Sequence, residues 1–243
     1  MEAENVLKLL VTLRDALRAN VPIDLSNDDL DVGPYSVGRI RDYVCCLVDG
    51  MACLFEQPQL QVCAIPLART AFESATRVLW AAVTPDGWNR LAAYLINVDI
   101  TWANSVSAFS SDPDATFARN LRDTRKAQLC ELNLDSVDDV PSFEQIVREI
   151  ASRNEGMGNT LAKEHAHYQY NQVYRLQSRY VHGSVLLPDT DDPGFSPIAV
   201  GAGAALACFA VMRAYWVITS LESSEVAFKA EAEVVEMLQA LTT

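Results

Sequence analysis

Three observations on the 243-residue chain predict an all-α fold. Apolar residues recur at steps of three and four through the long segments, proline, glycine and acid clusters separate those segments, and no stretch keeps the two-residue alternation of a strand. Half of the residues are hydrophobic and only 10 are glycine and 10 proline, so the chain is expected to be globular throughout. The expectation is a single-domain helical bundle of about eight or nine helices over residues 1–243. It comprises an N-terminal helix at 1–20, a core at 35–221 and a C-terminal helix at 225–241.

Each element has its own warrant. Val6, Leu9, Leu10, Leu13 and Leu17 share one face of the first helix, and VPIDLSNDDLDVGP then breaks every period. From about Tyr35 to Gln57, a broad apolar arc of Val37, Ile40, Val44, Leu47, Val48, Met51 and Leu54 predicts a largely internal helix that Pro58 ends. A third helix, near Val62 to Val83, requires Pro66 in its first turn and carries Arg69, Glu73 and Arg77 at four-residue steps on an otherwise apolar body. Thr84-Pro85-Asp86 predicts an N-cap for a fourth helix reaching about Phe109, with Trp88, Leu91, Leu95, Val98 and Trp102 as its buried face.

Asp112-Pro113-Asp114 opens a fifth, strongly charged helix to about Leu132, and Ser142-Phe143-Glu144-Gln145 fits a capping box for a helix ending near Arg153. Ile198 to Met212 is wholly apolar or small. Ala199, Gly203 and Ala207 are four apart, as are Gly201 and Ala205, which suits a central packing helix or a self-association surface. The uninterrupted run is short for a bilayer and Arg213 would sit inside the span, so no membrane segment is expected.

A formal charge of −13 opposes non-specific attraction to nucleic acid or anionic lipid, so any RNA contact has to be local. The best basic cluster is Arg119, Arg122, Arg125 and Lys126, which reads more readily as a solvated helix face. Six cysteines occur without a CxxC pair, and the N-terminus lacks signal-peptide character. Reduced core thiols and a cytoplasmic location are expected.

The stretch from Thr160 to Ser184 holds all three histidines, His165, His167 and His182, and reads as one amphipathic helix. At 100° per residue, His182, Ser178, Arg175, Asn171 and either Glu164 or His167 align, with Leu161, Val173, Leu176 and Tyr180 on the opposite arc. Glu164 and His167 have Glu-x-x-His spacing, but no second such pair exists: His165 lies on another face, and Arg179 precedes His182 by three. No metal and no cofactor are expected. Nucleophile elbows and phosphate-binding glycine loops are absent from the sequence.

An arginine followed by six residues and a histidine on a helix, here Arg175 and His182, resembles the HEPN (higher eukaryotes and prokaryotes nucleotide-binding) superfamily. VYRLQSRYVHGS together with LARTAFESATRVLW is similar to a group of bacterial all-helical proteins allied to it. There an arginine and a glutamate on an early helix accompany a later Tyr-x-x-x-Ser-x-x-x-His, which in this chain are Arg69 and Glu73, then Tyr174, Ser178 and His182. The sequence departs from the superfamily at Leu176, where active ribonucleases of the type carry a polar residue.

The resemblance implies a metal-independent ribonuclease acting as a homodimer, within toxin–antitoxin or anti-phage systems. Arg175, His182 and Ser178 would be catalytic; Arg69, Glu73, Asn171, Tyr174 and Arg179 would bind substrate or support the site. A histidine near neutral pKa can move the proton of a ribose 2′-hydroxyl, and a guanidinium can hold a phosphate by two hydrogen bonds. The competing expectation is a catalytically inactive helical module for a partner protein or small ligand, with His182 a helix-terminal histidine before Gly183. In either case Glu73 is expected within reach of Arg175, Arg179 or His182.

Overall fold

A computed structural model describes residues 2–26, 31–109, 112–134, 140–156, 174 and 197–221. The protein is all-α. Seven α-helices are present among the described residues: α1 (Glu2–Asn20), α2 (Val32–Phe55), α3 (Ala64–Val83), α4 (Gly87–Phe109), α5 (Asp112–Glu131), α6 (Phe143–Gly156) and α7 (Pro197–Ile218). A 3₁₀ turn, Pro58–Cys63, precedes α3, and Pro66 falls in the first turn of that helix as its ring requires. The helices expected at 160–184 and 225–241 lie outside the described residues, so seven stand where eight or nine were expected.

The chain divides into two compact units, one from residues 1–83 and 143–243 and one from 84–142. In the first, α7 is the hub and packs against α1, α2 and α3. It has no polar face: Val200, Gly201, Gly203, Ala204, Ala205, Ala207, Cys208, Ala210, Val211, Met212, Ala214 and Trp216 are all buried. Its small residues permit three neighbours at once, which is the central-packing alternative. By length and composition alone its 22 residues are also long and apolar enough to cross a bilayer.

The N-terminal helix buries the stripe read from its period, with Val6, Leu10, Leu13 and Leu17 fully inaccessible. On α2 the buried stripe is narrower than expected. Val37, Val44, Val48, Met51 and Phe55 are buried while Ile40, Leu47 and Leu54 of the expected arc are only half-buried, because α1, α3 and α7 cover only one side. Arg41 donates from Nη1 to the carbonyls of Val21 and Ile23 at 2.8 and 2.7 Å, tying the segment after α1 to α2.

Burial pushes the Cys208 thiol far above its ordinary value of 9.0, with the neighbouring Cys45 thiol adding to the effect, and burial also raises Cys45. Both thiols therefore stay protonated in the fold, whereas the unfolded chain releases their protons near pH 9. Stability should be unaffected by these groups at lower pH and fall above it, by up to about 1.4 kcal/mol per pH unit for each thiol. Urea titrations between pH 7 and pH 10 should show a shallower alkaline loss for Cys208→Ala than for the wild type. Equal slopes would contradict the assignment.

The second unit is the hairpin of α4 and α5. Thr84-Pro85-Asp86 does not cap α4 as expected. It forms a turn in which Gly87 N–H reaches the Thr84 carbonyl at 3.0 Å and Asp86 takes a φ of 58°, so the helix starts at Gly87. Asp86 then accepts from Asn89 Nδ2 at 2.7 Å, which makes it the residue that steadies the first turn. At the other end of the hairpin, α5 closes on Asn133, whose φ is 53°, with Leu134 N–H on the Leu129 carbonyl at 2.9 Å. That closure delivers Leu134 into a small core with Ala93 and Ile96.

The buried face of α4 differs from the expected one. Leu91 is buried, but Leu95, Val98 and Trp102 are exposed, and Ala93, Ile96 and Ala103 are buried instead. The helix carries two apolar arcs, and α5 covers the one built from smaller side chains.

Candidate functional site

The polar stripe of α3 is an ion-pair ladder. Glu73 sits between two arginines, with Oε1 2.6 Å from Arg77 Nη1 and Oε2 3.6 Å from Arg69 Nη2, and the three side chains are only 22, 20 and 14% exposed. Four-residue spacing places them on one face, and the alanines around them leave room for long side chains to lie along the helix.

Aromatic rings form the other wall. Arg69 Nη2 donates to the Tyr174 hydroxyl at 3.0 Å, and its guanidinium lies over the same ring, 4.8 Å from the centroid. The first residue of α6, Phe143, packs against Tyr174 with centroids 4.3 Å apart and meets Phe72 edge-on at 5.6 Å. Arg77 stands over the Phe143 ring at 5.8 Å. Two guanidinium groups are thus fixed at once by one carboxylate and by two aromatic faces. Arg69 Nε and Thr76 Oγ1 are buried on this helix without a hydrogen-bond partner among the described residues, an arrangement that weakens the array by about 1–3 kcal/mol per group.

One turn further along, Trp80 Nε1 donates to Glu149 Oε2 at 2.7 Å, linking α3 to α6 a second time. Glu149 also borders a hollow of about 480 Å³ lined by Gln145, Arg148, Ser152 and Arg153 of α6. Its charged groups are engaged locally: Arg148 bonds Glu144, and Arg153 donates to the Val83 carbonyl.

Of the residues expected at the site, Arg69, Glu73 and Tyr174 come together. Arg175, Ser178, His182, Asn171 and Arg179 lie outside the described residues, as do Glu164, His165 and His167. The described partners of Glu73 are Arg69 and Arg77. Phe143, Trp80 and Glu149 were not singled out as site residues. Trp80 nonetheless falls on the stripe at steps of four, four and three from Arg69, so its place was available in the spacing. Among the described residues no group of three or more histidine, cysteine or acidic side chains converges as a metal site.

The basic cluster of α5 is largely occupied by its own neighbours. Arg125 Nε pairs with Asp99 at 2.8 Å, Arg122 with Asp123 at 2.8 Å, and Arg119 Nη2 donates to Thr116 Oγ1 at 3.1 Å. This is the behaviour of a solvated, self-paired helix face.

Removing Glu73 should be felt strongly, because it leaves two mostly covered guanidinium groups facing each other across one helix turn. Glu73→Ala should lower stability by about 3 kcal/mol, the low end for breaking a buried pair given the residual exposure. Replacing Arg69 and Arg77 by methionine in the same chain should recover much of that loss in a urea titration. A Glu73→Ala variant as stable as the wild type would show that the ladder contributes nothing.

Comparison with protein-family models, with curated proteins and with solved structures finds no match.

Proposed function

We propose that the chain is a HEPN-like, metal-independent endoribonuclease of the cytoplasm, working as a homodimer within a toxin–antitoxin or anti-phage system, with Arg175 and His182 as its catalytic pair. The observation that supports this reading is the hydrogen bond from Arg69 to Tyr174. It joins, across 105 residues of sequence, the two separate pieces on which the resemblance rests, and Tyr174 is the residue immediately before Arg175. The burial of Arg69, Glu73 and Arg77 gives that trio a supporting role: it anchors the tyrosine and so the chain that carries the pair, rather than touching substrate.

In this reading Arg175 binds the scissile phosphate, and the histidine takes the proton of the ribose 2′-hydroxyl. The 2′-oxygen then bonds to phosphorus as the bond to the leaving 5′-oxygen breaks, and a second histidine, from the other copy, protonates that oxygen. The products are a 2′,3′-cyclic phosphate and a 5′-hydroxyl, with no metal in the step. Incubating the purified protein with single-stranded RNA, with and without chelator, tests this. Chelator-insensitive cleavage with cyclic phosphate ends is expected.

A second reading, an inactive helical interaction module, is favoured by the −13 charge and by Leu176 beside Arg175. Absence of cleavage on every RNA tried, with a stably folded protein, would replace the first reading with the second.

A further inference from the structure

Tyr174 is the described residue next in sequence to the proposed catalytic arginine, and its ring is held by two different helices. The Arg69 guanidinium of α3 lies over it, 4.8 Å from the centroid, and Phe143 of α6 packs against it with centroids 4.3 Å apart and ring planes 33° apart. The two contacts differ in stiffness. Arg69 carries its charge on a flexible stem that can follow a moving ring, and it shares that charge with Glu73. Phe143 has no such freedom. It is only 6% exposed, meets Phe72 edge-on at 84° with centroids 5.6 Å apart, and lies under the Arg77 guanidinium at 5.8 Å.

The helix that carries Phe143 is itself pinned. Ile146, Val147 and Ala151 of α6 are buried, and Glu149 accepts the Trp80 indole N–H at 2.7 Å, so α6 is tied to α3 at Phe143 and again further along at Glu149. Two attachments fix both the height and the rotation of one helix on the other. Consecutive α-carbons are only about 3.8 Å apart, so a displacement of Tyr174 passes almost whole to Arg175. Misplacing a reacting group by about 1 Å can cost about 100-fold in rate.

The geometry points to Phe143 as a positioning residue for the proposed reaction: its ring is the rigid stop against which Tyr174 rests, and it thereby sets where Arg175 meets the scissile phosphate. Covered as it is, Phe143 is not available to substrate, so its influence runs through the tyrosine. The inference rests on the ribonuclease reading, because it requires Arg175 to act on RNA. It also ranks the two contacts: the ring of Tyr174 matters more than its hydroxyl.

The test is steady-state cleavage of single-stranded RNA by the full chain, at a temperature well below the unfolding midpoint of every variant. Phe143→Leu keeps an apolar side chain and loses the flat face, so kcat should fall about 10- to 100-fold while KM stays within about twofold of wild type. Phe143→Tyr restores the ring and should return kcat to within about threefold of wild type. Phe72→Leu is the control, since it removes an equally buried ring that meets Phe143 and should leave kcat within about threefold. Should Phe143→Leu not fold, Phe143→Met takes its place with the same expectation. A wild type that cleaves RNA while Phe143→Leu keeps its kcat, a loss carried by KM alone, no recovery in Phe143→Tyr, or an equal loss in Phe72→Leu would each overturn this proposal and leave the ribonuclease reading standing. A wild type that cleaves no RNA overturns both.

Discussion

Replacing Trp80 with alanine should lower the stability of the larger unit by about 4 kcal/mol, the usual cost of deleting a buried tryptophan. The side chain is the largest of the fully buried ones, wholly inaccessible in the middle of α3. Its loss opens a cavity whose walls belong to a closely packed helix cluster and cannot collapse freely. The deletion also strips Glu149 of the indole donor at 2.7 Å, leaving a carboxylate that has lost one of its hydrogen bonds. Trp80→Phe helps to separate the two contributions, since it keeps most of the apolar volume while removing the N–H and part of the indole; about 1–2 kcal/mol should be lost. Denaturant titrations followed by helical circular dichroism check both values. A loss below about 1 kcal/mol for the alanine variant would mean that neighbouring side chains refill the space.

On the ribonuclease reading proposed above, His182→Ala and Arg175→Ala should each reduce RNA cleavage by about 10²- to 10⁴-fold, the range associated with losing a positioned acid–base group. The two residues are seven apart with Ser178 between them, so the helix expected from the sequence would set them two turns apart on one face, where they could address a single phosphate. Tyr174→Phe is the informative companion. It keeps the ring that packs on Phe143 and under Arg69 and removes only the hydroxyl that accepts the Arg69 hydrogen bond. That variant should fold normally and retain far more activity than the other two. Full activity in both alanine variants would remove the pair from the mechanism. Unfolding of either, with no cleavage by the wild type, would assign the pair to the fold.

The class and most helix limits were legible because each helix carries its own punctuation. Pro66, Asp112-Pro113 and Pro197 all lie in the first turn of the helix they introduce, as a residue without an N–H should. Less legible were choices that depend on neighbours far away in the chain. The period of α4 contains two apolar arcs, and the larger side chains suggested the wrong one, since only the position of α5 decides which is covered. The turn at Thr84–Asp86 has the composition of a cap, yet a left-handed Asp86 resolves it differently.

At the candidate site the ladder of Arg69, Glu73 and Arg77 could be read from four-residue spacing, because pairs within a helix are local. Its aromatic wall could not. Phe143 signalled only the start of α6, and nothing in its local context indicates that an arginine from α3 stacks over it. The resemblance named Arg69 and Tyr174 as residues of one site but not the bond between them, and periodicity carries no information across such a separation.

The position of α7 at the hub has a consequence for how the protein is made. Helices α1, α2 and α3 emerge from the ribosome early, but the helix they share is encoded more than a hundred residues after α3 ends. At ordinary elongation rates they wait on the order of ten seconds with their inward faces exposed, a window in which chaperones or premature aggregation compete for them. Nascent chains halted before Pro197 should remain protease-sensitive throughout residues 1–83, and chains released beyond Ile218 should acquire protection of α1, α2 and α3 together, in one cooperative event.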